Sequence, residues 1–260
     1  MNTMLTFYQK HGYIIKEVLT DEECDSINQY VDKHNENAYY EKNSQEKFGY
    51  KFDSNELPID IKNHTVIKQF ALNIIGSYDI SVVKSFYKSA LMARDIEYHQ
   101  EYHYNAHHPT NDSWKDYIQV FIALEDHNLT NACLKLIPNS HNEGLLPYTD
   151  IVNSNLEHKR SVEYNTLKRM ALKNGIVNCQ LKKGEAVFFN HLIIHGSQNN
   201  NSLLTRKALV LTLYKKHLKL NKKQRIDFEI KRKQFTIVEL QQKIDQLKND
   251  LNHLRENTLN

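Results

Sequence analysis

His99-Gln100-Glu101 sets an imidazole and a carboxylate two residues apart, and a further imidazole, His195, stands far downstream. Two imidazoles and one carboxylate on one face of a metal, with open positions opposite, form the ligand set of non-haem Fe(II) centres. Such a centre can take a co-substrate and O2 together. Residues i and i+2 of a β-strand point to the same side, so the spacing suits two ligands on one strand. Alone the pattern says little. The chain holds 14 histidines, and His-x-Glu recurs at His34–Glu36 and His141–Glu143. His34 ends a predicted helix, where i and i+2 diverge. His141 lies between Pro138-Asn139-Ser140 and Gly144, in a predicted turn. His99 is the one in a run of strand character.

The downstream half is more specific. Lys183-Gly184-Glu185 reads as a turn into the apolar run 186–189. His191-Leu192-Ile193-Ile194-His195-Gly196-Ser197 follows, then an Asn-rich loop, then Thr205-Arg206 and the apolar run 208–214. His195 is the candidate third ligand and His191 its rival. Arg206 shares a strand face with Ala208 and Val210. A buried arginine needs an anionic partner, because an unpaired buried charge is very costly. Its planar guanidinium suits a carboxylate, and the far carboxylate of 2-oxoglutarate is such a partner. The plainer alternative is a surface Arg206-Lys207 pair.

The elements that must position these groups follow from pattern. Residues 12–15 read as a short strand. Thr20 and Glu23 have capping-box spacing, and Cys24, Ile27 and Val31 continue at helical period to about His34. Residues 36–63 read as loop. Val66, Phe70, Leu72, Ile74 and Ile75 predict a helix ended by Gly76. From Asp79 onward short apolar or alternating runs recur, at 80–87, 97–104, 117–124, 133–137, 176–181, 186–189 and 208–214. Separated by Asn, Asp, Gly and Pro, they predict an all-β sandwich or barrel core. Residues 152–173 read as partly helical.

After Lys216 there is no Gly or Pro. Ile230, Ile237, Leu240, Ile244, Leu247, Leu251 and Leu254 fall on an a/d heptad pattern that Lys233 interrupts. That pattern predicts either a coiled-coil homodimer or an amphipathic helix folded back on its own domain. Two domains are expected: 1–216, and a basic helical extension at 217–260.

Hydrophobic residues make up 40% and charged residues 25% of the 260 residues, the ordinary balance of a soluble globular protein. Seven Gly and four Pro exclude long Pro/Gly linkers. No apolar run has the length of a membrane span, and the start lacks a basic segment followed by an apolar one, so no signal peptide is expected. Three scattered cysteines fit reduced thiols in a cytoplasm better than a disulfide framework. Residues 217–260 carry ten Lys/Arg and six Asp/Glu, +4, against 24 and 25 in the rest, −1. This basic stretch lacks the aromatic interleaving of nucleic-acid binders, so no nucleic-acid partner is expected.

Several segments together resemble the phytanoyl-CoA dioxygenase family: residues 98–104 (YHQEYHY), 121–127 (FIALEDH), 131–141 (NACLKLIPNSH), 183–189 (KGEAVFF) and 192–197 (LIIHGS) with Arg206-Lys207. They occur in the family's order and approximate spacing, over about residues 7–215. The resemblance implies an α+β architecture, a double-stranded β-helix (jelly-roll) core with flanking helices. It also implies Fe(II) as cofactor and 2-oxoglutarate as co-substrate. Carried over by position, His99, Glu101 and His195 are the iron ligands and catalytic centre. Arg206, eleven residues after His195, matches the carboxylate-binding arginine, and Ser197 a hydroxyl that helps hold the same carboxylate. Phe121 falls where a tryptophan can line the co-substrate pocket, or it is plain core packing.

Glu101 departs from the family, which usually has Asp there. Halogenating relatives lose this carboxylate, so its retention implies hydroxylation of a small molecule by O2, with release of succinate and CO2. His103, His107, His108 and Trp114 follow the first ligands in a segment placed to overhang the pocket; most read as surface residues, and His103, which continues the His99–Glu101 face, has the better claim. Thr258-Leu259-Asn260 is not a peroxisomal address. Two other readings stand beside this one: another cupin-type metalloenzyme, and a non-catalytic barrel that acts through its C-terminal helix. The position of Arg206 discriminates among them.

Overall fold

Along Arg206–Lys215 the residues Ala208 and Val210 point one way and Leu209, Leu211 and Leu213 the other, and all five are buried. A strand apolar on both faces must be covered on both, and the architecture meets that demand. The computed structural model describes residues 2–34, 38–40, 47–91, 95–102, 113–150 and 160–216, and Lys248. The chain divides into two units, Met1–Asn105 with Trp114–Lys216, and Ala106–Ser113 with His217–Asn260. Of the second, Ser113 and Lys248 are described. The expected C-terminal helix lies outside the described residues.

The first unit runs α1 (Asn2–His11), β1 (Tyr13–Glu17), α2 (Asp21–Lys33), β2 (Ala38–Tyr40), β3 (Lys47–Phe52), α3 (Thr65–Ile74), β4 (Tyr78–Lys88) and β5 (Ile96–His99). Then come β6 (Tyr117–Ala123), β7 (Leu134–Ile137), β8 (Tyr148–Asp150), β9 (Arg160–Val162), α4 (Tyr164–Asn174), β10 (Val177–Cys179), β11 (Glu185–Asn190), β12 (Ile194–Ser197) and β13 (Arg206–Lys215). A seven-stranded sheet has the order β1-β11-β6-β13-β4-β3-β2, and a four-stranded sheet the order β10-β7-β12-β5. All neighbours in both are antiparallel.

One buried cluster fills the space between the sheets. Phe86, Phe121, Val187, Phe189, Ala208 and Val210 come from the large sheet, and Leu134, Leu136 and Cys179 from the small one. The outer face of the large sheet is covered by helices: Ile27 and Val31 of α2 and Ile67 and Phe70 of α3 meet Val120, Phe188, Leu209 and Leu211. The Phe70 and Phe188 rings pack at a tilt, with centroids 4.6 Å apart and planes at 52°. Truncating a buried phenylalanine of this kind typically costs about 3–5 kcal/mol. Met170 of α4 covers the small sheet at Ile137 and Ile194. This layering of two antiparallel sheets is that of a jelly roll.

The capping box at the start of α2 is formed, with Thr20 and Glu23 each accepting the other's backbone N–H. The Lys183-Gly184-Glu185 turn is tight for a stated reason: Gly184 has φ +86°, and a Cβ there would sit 2.1 Å from the Leu19 carbonyl oxygen. The Gly184 carbonyl accepts from both Val18 and Leu19, at 3.0 Å each, which fixes the entry into β11.

One expectation needs correction. Residues 36–63 are not all loop, since β2 and β3 lie there. They have no clean period of their own, and β3 is ordered by pairing with β4, Gly49 opposite Phe86. Within 152–173 the described residues are partly helical as expected: α4 starts at Tyr164, and Arg160–Val162 pairs with Tyr148–Asp150 in a two-stranded ribbon.

Candidate metal centre

β5 and β12 pair in a register that sets His195 directly opposite His99. Their rings lie 4.3 Å apart. His99 Nδ1 is 2.7 Å from the Glu97 carbonyl, and His195 Nδ1 is 3.0 Å from the Ile193 carbonyl. A carbonyl can only accept, so each Nδ1 carries the proton and each Nε2 the lone pair. The two Nε2 atoms face one Glu101 oxygen, Oε1, at 3.6 and 3.5 Å. The three ligand atoms all lie within 4.8 Å of one another. Two lone pairs and a carboxylate oxygen converging in a buried site form a cation site, and backbone carbonyls behind ligating histidines are the usual orienting partners. The donor set therefore fits Fe(II).

The charge state agrees. Burial pushes the Glu101 carboxyl upward, but the His195 and His99 side chains beside it outweigh burial and hold the group well below the usual carboxylate range. Burial lowers the His195 imidazole, His99 lowers it further, and Glu101 opposes both. An ionised carboxylate in this buried site draws a cation.

How Glu101 arrives there differs from expectation. β5 ends at His99, so Glu101 is not two along the same strand but in the turn that follows. Gln100 pins that turn. Fully buried, its amide donates to the Gly144 and Leu192 carbonyls at 3.0 and 2.7 Å and accepts from Leu146 N at 2.9 Å. Tyr102 N donates to the His191 carbonyl at 3.1 Å. The residue between the two ligands is thus a structural clamp, which the His-x-Glu spacing alone gives no sign of.

The triad opens into a pocket of about 430 Å³, the open solvent at its mouth included. Phe86, Phe121, Phe189 and Val210 form its apolar walls, and Gln119, Ser197 and Arg206 contribute polar groups. Arg206 opens β13 as expected and is 1% exposed. One of its guanidinium nitrogens donates to the Ala132 carbonyl, while its Nε has no hydrogen-bond partner. Among the described residues no carboxylate pairs with it. Its guanidinium lies 5.5 Å from the Phe121 ring centroid, so Phe121 supports the cation as well as lining the pocket. Burial lowers the Arg206 pKa to about 10, still well above neutral.

Sequence reasoning missed a second buried cation. Lys88 of β4 is directly opposite Arg206 and donates to the Gln198 carbonyl. His191, the rival ligand, is outside the triad but within its electrostatic reach. His103, His107 and His108 lie outside the described residues, as does the Trp114 side chain.

His127 makes the fold acid-sensitive. It is buried near Arg206, and its Nε2 donates to the Lys207 carbonyl at 2.9 Å. Burial, then Arg206, lowers its pKa to about 3, against the partial counter-effect of Asp126. A depressed folded pKa contributes stability that is full above the unfolded value, about 6.5, and is lost as pH falls toward about 3. Thermal melts of the metal-free protein from pH 7.5 to 5 should therefore show falling stability. His127→Gln should flatten the slope by up to about 1.4 kcal/mol per pH unit, one proton's worth. An unchanged slope would mean that His127 is not held neutral.

Comparison with known proteins gives the family and the fold. The family model described as phytanoyl-CoA dioxygenase matches residues 8–208. The peroxisomal phytanoyl-CoA dioxygenase of Bos taurus is 30% identical over 111 residues, 43% of this chain. The chain spans 31% of that relative's length in the match. Among solved structures, EctD from S. alaskensis with 2-oxoglutarate and 5-hydroxyectoine superposes with TM-score 0.68 at 16% identity, covering 82% of this chain and 76% of that one. EvdO2 from Micromonospora carbonacea var. aurantiaca, complexed with 2-oxoglutarate, does so with TM-score 0.63 at 15% identity, covering 83% and 91%. These likenesses show the jelly-roll fold. The family match covers most of the chain, and on that ground the chain belongs to the phytanoyl-CoA dioxygenase family.

Proposed function

We propose that this chain is a non-haem Fe(II)- and 2-oxoglutarate-dependent dioxygenase that hydroxylates a small molecule and releases succinate and CO2. The observation that carries the reading is Arg206. A guanidinium buried at a pocket wall, with no carboxylate partner among the described residues, calls for an anion from outside. The triad lines the same pocket. A ligand with a metal-chelating keto-acid at one end and a carboxylate at the other satisfies both. EctD and EvdO2, which share the fold, have been solved with 2-oxoglutarate.

Fe(II), when held by His99, Glu101 and His195, supplies the coupling between 2-oxoglutarate decarboxylation and substrate oxidation by O2. The remaining work belongs to the chain. Arg206 and Ser197 bind the distal carboxylate and fix the co-substrate's direction. Phe121, Phe86, Phe189 and Val210 keep water from the reacting atoms. Glu101 offsets the metal's charge, and the Glu97 and Ile193 carbonyls hold the imidazoles in the ligating tautomer. One oxygen atom of O2 enters succinate and the other enters the product.

Residues 1–216 carry this activity in the proposal. The proposal assigns the basic segment 217–260, which apart from Lys248 lies outside the described residues, to pairing with a second copy through its heptad pattern. Three buried free cysteines fit a reducing compartment such as the cytoplasm. Among the described residues no helix is long and apolar enough to cross a membrane.

The test is succinate formation from 2-oxoglutarate in the presence of Fe(II) and O2, measured with and without a panel of small-molecule substrates. Wild type is expected to turn over 2-oxoglutarate slowly alone and faster with a substrate, and His99→Ala to give none. No succinate from wild type with any substrate would overturn the reading.

A further inference from the structure

Outside the triad the polar side chains that line the pocket are Gln119, Ser197 and Arg206. Ser197 and Arg206 have their use at the far carboxylate, and Gln119 has none. It sits on the inner face of β6, 4% exposed, one inward-facing place before Phe121. A primary amide offers two N–H donors and an oxygen with two lone pairs. The buried Thr212 hydroxyl, directly across the strand pair, donates to Gln119 Oε1 at 2.9 Å. The amide nitrogen has no hydrogen-bond partner among the described residues. Buried donors are nearly always paired, and an exception beside a cavity calls for a partner from the cavity.

Strand register sets the height of Gln119 in the pocket. β13 places Val210 opposite Phe121 and Thr212 opposite Gln119. The Arg206 guanidinium lies 5.5 Å from the Phe121 ring centroid. Gln119 is two residues further from Arg206, about 7 Å along the strand. On its other side Gln119 is opposite Phe189, whose ring centroid is 4.7 Å from that of the His195 imidazole. The glutamine therefore stands at the triad end of the pocket and Arg206 at the other.

We propose that Gln119 binds the metal-side carboxylate of the 2-oxo acid, its N–H donating to the oxygen that the metal leaves free. A 2-oxo acid chelates a metal through its keto oxygen and one carboxylate oxygen. The second carboxylate oxygen keeps a share of the charge and takes a donor. An N–H on a charged oxygen makes a bond stronger than one between neutral groups. Thr212 prepares it: with Oε1 engaged, the amide presents nitrogen, and not oxygen, to an anion. A cation then grips one carboxylate of the ligand and a neutral amide the other, so no positive side chain competes beside the metal. A pair that merely tied β6 to β13 would give the two N–H groups no use. The inference rests on the proposed use of 2-oxoglutarate.

The test is ligand binding to the Co(II)-loaded full chain, read by calorimetry and by the change in the Co(II) visible spectrum. Two acids are compared: 2-oxoglutarate, and 2-oxovalerate, which keeps the metal-side carboxylate and lacks the far one. Gln119→Leu should weaken 2-oxoglutarate about 10- to 150-fold, the range for a lost hydrogen bond to a charged group, and 2-oxovalerate by a like factor. Arg206→Met should weaken 2-oxoglutarate alone. Gln119→Glu, which sets one carboxylate against another, should lose more than Gln119→Leu. Thr212→Val, which frees the amide to rotate, should lose less than about tenfold. Co(II) affinity should stay unchanged in Gln119→Leu and Thr212→Val. A folded Gln119→Leu that binds both acids as wild type does, or loses 2-oxoglutarate alone, overturns the inference. If Gln119→Leu does not fold, Thr212→Val is judged on the same two acids: parallel losses support the inference and wild-type binding overturns it. If wild type binds no 2-oxoglutarate, the proposed function fails and takes the inference with it. Tight binding by wild type and by Gln119→Leu alike removes the inference alone.

Discussion

Arg206→Met should abolish tight binding of 2-oxoglutarate while leaving the metal site intact. The guanidinium is desolvated at the pocket wall, with Phe121 at one face and the Ala132 carbonyl taking one N–H. A carboxylate arriving there makes a charge-assisted pair in a low-dielectric site, and truncating one partner of such a pair costs about 2–5 kcal/mol. That converts to a rise in Kd of about 30- to 3,000-fold. Arg206→Lys should fall between, because an ammonium cannot offer the planar fork. Calorimetric titration of 2-oxoglutarate into the Co(II)-loaded protein measures this. Melting gives a second readout: the rise in Tm that a ligand confers on the folded state should vanish in Arg206→Met. Methionine keeps most of the volume and removes a buried charge that has no carboxylate partner among the described residues, so the ligand-free Tm should change little. Unaltered co-substrate affinity in Arg206→Met would remove 2-oxoglutarate from the proposal.

Glu101→Ala is the second large effect. It removes the single anionic member of the triad and leaves two neutral imidazoles facing a cation. Losing a group that merely orients a ligand costs about 10- to 100-fold in metal affinity, so losing the ligand itself should cost more than about 100-fold. Competitive titration of Co(II) against a chromogenic chelator reads this directly, with the melting curve of each metal-free variant as the control for folding. Retention of wild-type affinity in Glu101→Ala would mean that the metal is held elsewhere. The same carboxylate does not set the acid limit of the site, since His195 and His99 hold the carboxyl well below its usual range and it stays ionised as the pH falls.

Much of this site could be read from residue order, because its strongest parts are local. His195, Ser197 and Arg206 lie within twelve residues on or beside two strands, and a strand's alternation states which of them share a face. The capping box of α2 and the apolar run of β13 are local in the same sense. The features that escaped depend on contacts far apart in the chain. β3 has no period of its own and is ordered by β4. Glu101 reaches the metal centre through a turn that Gln100 clamps to Gly144, Leu146 and Leu192, partners 44 to 92 residues away. Lys88 is set opposite Arg206 only because β4 pairs with β13. His191 was visible as a rival ligand four residues from His195, but a count of spacing cannot say that the His195 imidazole faces Glu101 Oε1 while His191 stands outside the triad.

β5 is the outermost strand of the four-stranded sheet, and among the described residues its one partner in that sheet is β12. Strand edges are where sheets open first, since they lack a neighbour on one side. His99 sits on that edge, His195 on the strand inside it, and Glu101 on the turn just past it. A cation shared by the three is therefore also a rivet through the outermost strand. Iron supply and the integrity of the pocket wall then become a single equilibrium, and a shortage of the metal loosens the scaffold itself before it is felt as a missing reagent.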